Sequence, residues 1–239
     1  MATITTAMVL AAGMGSRLRP LTDTMPKPLI NVGGMPIILR TLHMLKDAGI
    51  ERVVINTHYF APMLESAVKA GAPSNMIIHF SYEPELLDTG GGIKKALPLL
   101  GDDPILTVNS DAVWLDDMAP LLAPLMKAFD ADQHDILLSV VPTTETKDFQ
   151  PLGDFKFDKK TKLLARTGTR ESWNVVYAGL SICKPGMFSH IPQEKFSQNV
   201  LWMDLAASKR LYGHLYNGRW REIGSHQGLE LARALVAGH

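Results

Sequence analysis

The stretch VLAAGMGSRLRPLTDTMPKPL, residues 9–29, joins an apolar segment to a loop rich in glycine, proline and cations. The first residues of this stretch belong to the apolar run TTAMVLAA, residues 5–12, which predicts a short buried strand. Gly13 and Gly15 follow this run. Glycine lets the backbone approach a ligand closely and can adopt positive φ angles. Open α/β sheets bind ligands outside the carboxyl ends of their strands. Backbone N–H groups at such an edge, together with Arg17 and Lys27, indicate an anion-binding loop.

Two common phosphate-binding loops do not fit these residues. A dinucleotide-binding fingerprint needs glycine or alanine three residues after Gly15, where this chain has Leu18. A Walker loop ends in Gly-Lys followed by Ser or Thr, and the chain has no such sequence. The glycine pair alone is also compatible with an ordinary strand-to-helix turn, so the surrounding pattern has to decide.

Outward from this loop, helix and strand patterns alternate as far as about Pro142. Segments with apolar residues at helical spacing lie between the apolar runs ERVVINTHY, MIIHFSY, PILTVNSD and HDILLSVVP. This alternation predicts an α/β fold, with a Rossmann-like, mostly parallel sheet and helices on both faces. We expect one domain over residues 1–239, divided into a core at 1–142 and a small β-rich extension at 143–239.

Short strands predominate in the predicted extension. DFKFDKKTKLLAR predicts a β-hairpin with polar turn residues at 158–160. LYGHLYNGRWREIG predicts a second hairpin that turns at Asn217 and Gly218. NVVYAGLSIC predicts a strand, and SHQGLELARALVAG predicts a final helix with Ser225 as its N-cap.

The composition argues against several classes of function. Lys plus Arg and Asp plus Glu both number 24, so the formal net charge is zero. Neither nucleic acid nor an anionic membrane surface is therefore an expected partner. The single cysteine, Cys183, cannot form an internal disulfide, and no apolar run approaches the roughly 20 residues of a membrane span. Since the N-terminus also lacks the cationic start of a signal peptide, we expect a soluble cytoplasmic protein.

Residues Leu10 to Leu29 resemble, without a gap, the signature of sugar-phosphate nucleotidyltransferases: Gly-x-Gly-x-Arg-(Leu/Met)-x-Pro-Leu-Thr, then Pro-Lys-Pro. Further similar stretches follow in family order: DTGGGIKKALPLL, NSDAVW, GDF, YAGLSI and WREIGS. The resemblance implies an enzyme that joins a nucleoside triphosphate to a sugar 1-phosphate and releases pyrophosphate, with Mg²⁺ as cofactor. The compact length and TGGGI most resemble the bacterial N-acetylmuramate-1-phosphate uridylyltransferase subfamily, which implies UTP and N-acetylmuramate 1-phosphate as substrates.

The resemblance also implies roles for individual residues. Arg17, Lys27 and Asp111 form the implied catalytic set, in which Lys27 faces the α-phosphate and the incoming sugar phosphate. The implied nucleotide-binding residues are Leu10, Ala11, Ala12, Gly13, Gly15, Ser16, Arg17, Lys27, Thr89, Gly90 and Gly91. The implied sugar-binding residues are Asn109, Asp154 and Gly179. Asp111 and Glu222 are the implied metal ligands, since Mg²⁺ prefers one or two carboxylates with phosphate oxygens.

The chain departs from the family pattern at two places. The family usually shows Trp-x-Asp-x-Gly-(Thr/Ser), and WREIGS supplies Glu222 instead of the aspartate. The longer side chain implies a shifted metal geometry, a different second metal or a weakened enzyme. A Glu-Lys-Pro motif, whose lysine normally holds the sugar phosphate in thymidylyltransferases and their relatives, is missing around residues 170–174. Those subfamilies are therefore disfavoured.

Three other functions remain open from the sequence. A mannose-1-phosphate guanylyltransferase belongs to the same family, and a non-catalytic, nucleotide-binding regulatory homologue is suggested by Glu222. An NAD-dependent oxidoreductase is disfavoured by Leu18. The expected partners are a nucleoside triphosphate and a sugar 1-phosphate, and the expected oligomeric state is a monomer or a homodimer.

Overall fold

The computed structural model describes residues 4–114, 118–146 and 152–238. The strands within these residues are β1 (Thr6–Leu10), β2 (Asn31–Val32), β3 (Met35–Pro36), β4 (Arg52–Thr57), β5 (Ile77–Tyr82), β6 (Ile105–Asn109), β7 (Ala112–Trp114), β8 (Ile136–Pro142), β9 (Lys156–Phe157), β10 (Leu164–Ala165), β11 (Val175–Cys183), β12 (Tyr212–Leu215) and β13 (Trp220–Glu222). The α-helices are α1 (Ile37–Asp47), α2 (Ala61–Gly71), α3 (Asp88–Leu100), α4 (Met118–Ala128), α5 (Asn199–Ala207) and α6 (His226–Ala237).

The central sheet has the strand order β12-β8-β11-β6-β1-β4-β5. β1 pairs in parallel with β4 and β6, β4 with β5, and β8 with β12. β11 runs antiparallel to both of its neighbours, β6 and β8. The predicted α/β fold with a mostly parallel sheet is confirmed, and β11 and β12, from beyond residue 142, are part of that sheet.

Alternate residues of the buried strands pack on opposite faces of the sheet. In β1, Ala7 and Val9 join a core that includes residues of α1, α2 and α4. Met8, between them, joins a second core that includes residues of α3 and α5. This period of two places helices on both faces, and it explains why the strands read as continuous apolar runs.

The predicted hairpin at 158–160 is present, because β9 and β10 pair antiparallel around that turn. The second predicted hairpin is wrong. β12 pairs in parallel with β8, and β13 pairs antiparallel with β7, so the two strands do not pair with each other. Trp220 of β13 is buried opposite Trp114 of β7, and this tertiary packing outweighs the local preference of Asn217-Gly218 for a hairpin turn.

Helix α6 supports the loop that follows β1. It begins as predicted, since Ser225 Oγ accepts a hydrogen bond from the Gly228 N–H at 3.1 Å. Leu229 of α6 belongs to a third buried cluster together with Leu18 and Ile30. The C-terminal helix therefore packs directly beneath the glycine- and proline-rich segment.

Cys183 at the end of β11 is a packing residue. It is free and buried, and burial raises the pKa of its thiol to about 12, which keeps it protonated and unreactive. None of the helices in the described part of the chain is long and apolar enough to cross a membrane.

Candidate functional site

Two adjoining cavities lie at the carboxyl ends of β1 and β6. The larger, of about 450 Å³, is lined by the loop after β1 and the start of α3. The smaller, of about 270 Å³, is lined by residues of β11 and β13 and by the start of α5. Thr89, Asn109 and Asp111 line both cavities. This edge is where open α/β sheets bind ligands, and the shared wall would let two bound molecules meet at Asp111.

The loop after β1 forms most of one wall of the larger cavity. The predicted nucleotide-binding residues that line it are Leu10, Ala11, Ala12, Gly13, Gly15, Ser16, Arg17, Lys27 and Thr89. Gly15 has φ of +64°, in the left-handed region, and its carbonyl accepts the Thr22 hydroxyl at 2.9 Å. A Cβ on Gly15 would lie 2.9 Å from both Lys27 Cβ and Thr22 Cγ2. Backbone conformation and available space therefore both require glycine at this position.

Lys27 and Asp111 form an ion pair where the cavities meet. Lys27 Nζ donates to Asp111 Oδ2 at 2.8 Å, and the two side chains are only 12% and 25% exposed. Lys27 begins a short 3₁₀ helix, Lys27–Leu29, and is flanked by Pro26 and Pro28. Because the two prolines restrict the backbone, they help to hold the ammonium group in this position.

The pairing of β7 with β13 brings Glu222 beside Asp111. Glu222 lies opposite Ala112 in the antiparallel register. The Ile223 N–H, one residue further, donates to the Asp111 carbonyl at 2.6 Å. The two predicted metal ligands, far apart in sequence, are thus held together by main-chain hydrogen bonds.

Four charged side chains interact at this junction. Burial and then the nearby Asp111 carboxylate raise the pKa of Glu222 to about 6, whereas Lys27 and Arg17 act in the opposite direction. A Cβ on Gly224 would lie 3.2 Å from Glu222 Oε1 and 3.4 Å from the Arg17 guanidinium nitrogens. The predicted catalytic residues and both predicted metal ligands are therefore neighbours in the structure.

The Asp111 and Glu222 carboxylates fit a divalent cation. Mg²⁺ in phosphate-transfer sites is commonly held by one or two carboxylates together with substrate oxygens. Burial and, second to it, the negative charge of Asp111 raise the pKa of Glu222, and a cation bound by both carboxylates would offset their repulsion. The described residues contain no group of three or more His, Cys, Asp or Glu able to hold a metal. Asp111 and Glu222 alone would supply two carboxylates, a number that Mg²⁺ commonly takes from a protein beside substrate phosphates.

The smaller cavity has a polar wall that includes the predicted sugar-binding residues Asn109, Asp154 and Gly179. Asp154 Oδ2 accepts the Tyr177 N–H at 3.0 Å, and burial raises the pKa of this carboxyl group. Asn109 Oδ1 and Trp202 Nε1 are buried without a partner among the described residues. Both residues line the smaller cavity, whose polar wall suits a ligand with several polar groups.

Gly90 and Gly91 are placed differently from Thr89. They do not line either cavity, and both of their N–H groups donate to the Phe196 carbonyl, at 2.9 and 3.0 Å. A Cβ on Gly91 would lie 2.2 Å from the Glu194 carbonyl oxygen. In this structure the glycines allow close packing of the 194–198 segment on α3, and their contact with a base stays a prediction.

A buried polar chain that the sequence analysis missed links the loop after β1 to the residues just before α3. The Ala11 N–H donates to Asn56 Oδ1 at 2.7 Å, and Asn56 Nδ2 donates to Glu83 Oε1 at 2.7 Å. Glu83, which is fully buried, also accepts the Leu87 N–H at 2.9 Å. The one signal in the sequence is a polar residue at the end of each apolar run, Asn56 after RVVI and Glu83 after FSY.

Two cations outside every recognised motif also line the cavities. Lys195 lies on the larger cavity and Arg166 on the smaller one. Arg166 follows β10, and Lys195 belongs to the segment that packs on α3. Only the tertiary structure brings them to the site.

Comparison with known proteins gives a match along nearly the whole chain. The family model described as Nucleotidyl transferase matches residues 6–237. The chain is 36% identical over 234 residues to N-acetylmuramate alpha-1-phosphate uridylyltransferase of Caulobacter vibrioides, covering 97% of this chain and 96% of that protein. It is 35% identical to the Neisseria meningitidis serogroup B protein of the same name, covering 96% and 97%. A Mycobacterium tuberculosis mannose-1-phosphate guanylyltransferase is 28% identical, and the match covers 92% of this chain but 61% of that protein.

Solved structures share the fold. The crystal structure of HddC from Yersinia pseudotuberculosis complexed with GMP-PN superposes with a TM-score of 0.79. It is 21% identical in sequence, and the match covers 97% of this chain and 99% of that one. At this identity the likeness supports the α/β architecture alone.

The two glycines of the loop after β1 should respond differently to alanine. Gly15→Ala should lower the free energy of unfolding by about 1–3 kcal/mol, because a side chain there is strained and collides with Lys27 and Thr22. Gly13→Ala is the matched control, since a Cβ on Gly13 would meet no atom within 4 Å. Urea unfolding monitored by tryptophan fluorescence measures both. Equal losses of stability in the two variants would contradict this account of the loop.

Proposed function

The chain belongs to the nucleotidyl transferase family, and from that premise we propose that it joins UTP to N-acetylmuramate 1-phosphate and releases pyrophosphate. The observation that carries the proposal is the junction of two cavities at Asp111, where Lys27 and Glu222 also converge. The larger cavity would take the nucleoside triphosphate and the smaller one the sugar. The reacting phosphates of both would then meet at the charged junction.

The reaction needs no covalent enzyme intermediate. An oxygen of the sugar 1-phosphate attacks the α-phosphorus of UTP in line with the leaving group and forms the new P–O bond. The bond from that phosphorus to the oxygen bridging to the β-phosphate breaks, and pyrophosphate leaves with its electron pair. The attacking oxygen is already anionic near neutral pH, so no general base is required. The protein's contribution is to position both substrates and to stabilise negative charge.

The charged residues divide that work. Lys27 would stabilise the charge that gathers on the α-phosphate, and Arg17 with the loop N–H groups would hold the triphosphate. Asp111 and Glu222 would hold a divalent cation, which we propose to be Mg²⁺. When bound, this ion supplies positive charge that lets two anionic substrates approach. Because the two carboxylates lie close together, they favour the binding of such a cation.

The choice of UTP and N-acetylmuramate 1-phosphate rests on the relatives. The two uridylyltransferases match this chain over nearly their whole length, whereas the guanylyltransferase has a large part that this chain does not match. We further propose a cytoplasmic enzyme that acts as a monomer or homodimer in peptidoglycan recycling. Both proposed substrates are phosphorylated metabolites, and the free, buried Cys183 suits a reducing compartment.

A pyrophosphate-release assay across four nucleoside triphosphates and several sugar 1-phosphates tests the function. We expect release only when UTP, N-acetylmuramate 1-phosphate and Mg²⁺ are all present. A tenfold higher kcat/KM for GTP with mannose 1-phosphate would assign the chain to the guanylyltransferases. Binding of UTP without turnover of any sugar 1-phosphate would indicate the regulatory homologue instead.

Lys27→Ala should affect catalysis more than binding of UTP. An ammonium group that meets charge developing in the transition state contributes mainly to kcat. We expect kcat to fall by roughly 10²–10³-fold, or about 2.7–4 kcal/mol. The affinity for UTP, measured by calorimetry, should fall much less, because Arg17 and the loop N–H groups remain.

Two further variants sharpen the Lys27 test. Lys27→Arg should restore little activity, since a planar guanidinium does not replace a compact ammonium that is only 12% exposed. Arg19→Ala is the control, because Arg19 is exposed and pairs only with Asp23 among the described residues. A near-normal kcat for Lys27→Ala would show that this lysine does not act on the α-phosphate.

Glu222→Gln tests the metal site. Removing one of two carboxylates should raise the Mg²⁺ concentration for half-maximal activity by at least about tenfold, since even indirect changes around a metal cost roughly 10–100-fold. Glu222→Asp keeps the charge and should retain most of the activity. Exposed Glu230, mutated to Gln, serves as the control. An unchanged Mg²⁺ titration for Glu222→Gln would exclude Glu222 as a ligand.

A further inference from the structure

We propose that Arg166 binds a carboxylate on the sugar substrate and thereby selects a sugar acid 1-phosphate over neutral sugar 1-phosphates. This inference rests on the proposed function, because it assigns the chemistry of the same sugar site. The smaller cavity is otherwise lined by neutral and acidic side chains, and Arg166 is the one Lys or Arg among its described lining residues.

The Arg166 guanidinium is held in place from several sides. Its Nε donates to the Asp154 main-chain carbonyl at 3.2 Å, and its NH2 group donates to Asn199 Oδ1 at 2.7 Å. The guanidinium carbon lies 4.5 Å from the centre of the Phe155 ring, within the range of a cation–π contact. A guanidinium fixed in this way loses little entropy when it binds a planar anion.

Most of the hydrogen-bonding capacity of Arg166 remains available. A guanidinium has five N–H groups, and the two hydrogen bonds just described are those that Arg166 makes within the described residues. The nearby Asp154 carboxylate pairs with Arg170, at 3.6 Å, and Arg166 forms no ion pair within 4 Å in this part of the chain. A half-buried cation without a direct counter-ion, facing a cavity, favours an anionic ligand.

The position of Arg166 separates it from the reacting phosphate. The 1-phosphate has to lie at the junction, where Lys27 and Arg17 act on Glu222. Lys27 and Arg17 line the larger cavity and not the smaller one, whereas Arg166 lines only the smaller one. Arg166 therefore faces a part of the sugar other than its phosphate.

A carboxylate is the group that this position fits. N-acetylmuramate differs from N-acetylglucosamine by a lactyl ether that carries a carboxylate, and Arg binds carboxylates through two parallel hydrogen bonds. Neutral groups of the sugar have other partners, because the polar, uncharged residues Asn109, Ser197 and Gln198 also line the smaller cavity. Arg166 is then left to recognise the charge.

Substrate selectivity tests the role of Arg166. We would measure kcat/KM with UTP for N-acetylmuramate 1-phosphate and N-acetylglucosamine 1-phosphate. Arg166→Gln should lower the value for the first sugar by roughly 10–100-fold and change the second less than about threefold. Arg166→Lys should lose part of the preference, since it keeps the charge but not the paired hydrogen bonds. Arg233→Gln, a change at an exposed arginine of α6 that pairs with Glu230, should leave the ratio of the two values unchanged.

Each alternative outcome has a distinct meaning. Equal losses for both sugars in Arg166→Gln, or a wild-type enzyme that does not distinguish them, would overturn the inference while leaving the uridylyltransferase function intact. A parallel calorimetric titration with N-acetylmuramate 1-phosphate tests the inference even if the protein shows no turnover. If the wild type binds this sugar phosphate without turnover, and Arg166→Gln and Arg166→Lys weaken the binding, the inference stands and the proposed function fails. Thermal unfolding confirms that each variant is folded.

Discussion

The antiparallel pairing of β7 with β13 is the constraint on which the rest of the site depends. It fixes the backbone of Glu222 opposite Ala112, and the Ile223 N–H holds the Asp111 carbonyl. Two carboxylates are thereby kept together although burial and repulsion favour protonation of one of them. The free energy of folding of the sheet offsets this unfavourable proximity. The result is a junction that attracts positive charge. Lys27 supplies part of that charge from the loop after β1.

A second close contact, between α3 and the 194–198 segment, builds the wall shared by the two cavities. Gly90 and Gly91 allow their N–H groups to reach the Phe196 carbonyl. The Thr89 hydroxyl, which lines both cavities, accepts the Gln198 N–H at 3.0 Å. The glycine run therefore shapes the site through packing. In the same way, the buried chain through Asn56 and Glu83 ties the loop after β1 to the start of α3.

Sequence patterns predicted the parts of the structure that are encoded locally. The glycine loop after β1 and Asp111 at the end of β6 lie where the apolar runs and their termini placed them. The strands with which β12 and β13 pair were not predictable from Asn217-Gly218. The burial of Trp220 against Trp114 determines that β13 pairs with β7. The place of Arg166 at the site could not be identified either, since the cavity that it lines is formed by segments distant in sequence.

The same geometry bears on Glu222, which stands where the family signature usually has an aspartate. The register of β7 and β13 fixes where residue 222 leaves the backbone, so the extra methylene of glutamate must be accommodated beyond that point. Gly224 leaves the space next to Glu222 Oε1, where a Cβ would lie only 3.2 Å away. The longer carboxylate still acts electrostatically with Asp111, Lys27 and Arg17. Since the charge at the junction is kept, Glu222 by itself gives no physical reason to expect a protein that binds its nucleotide without turning it over.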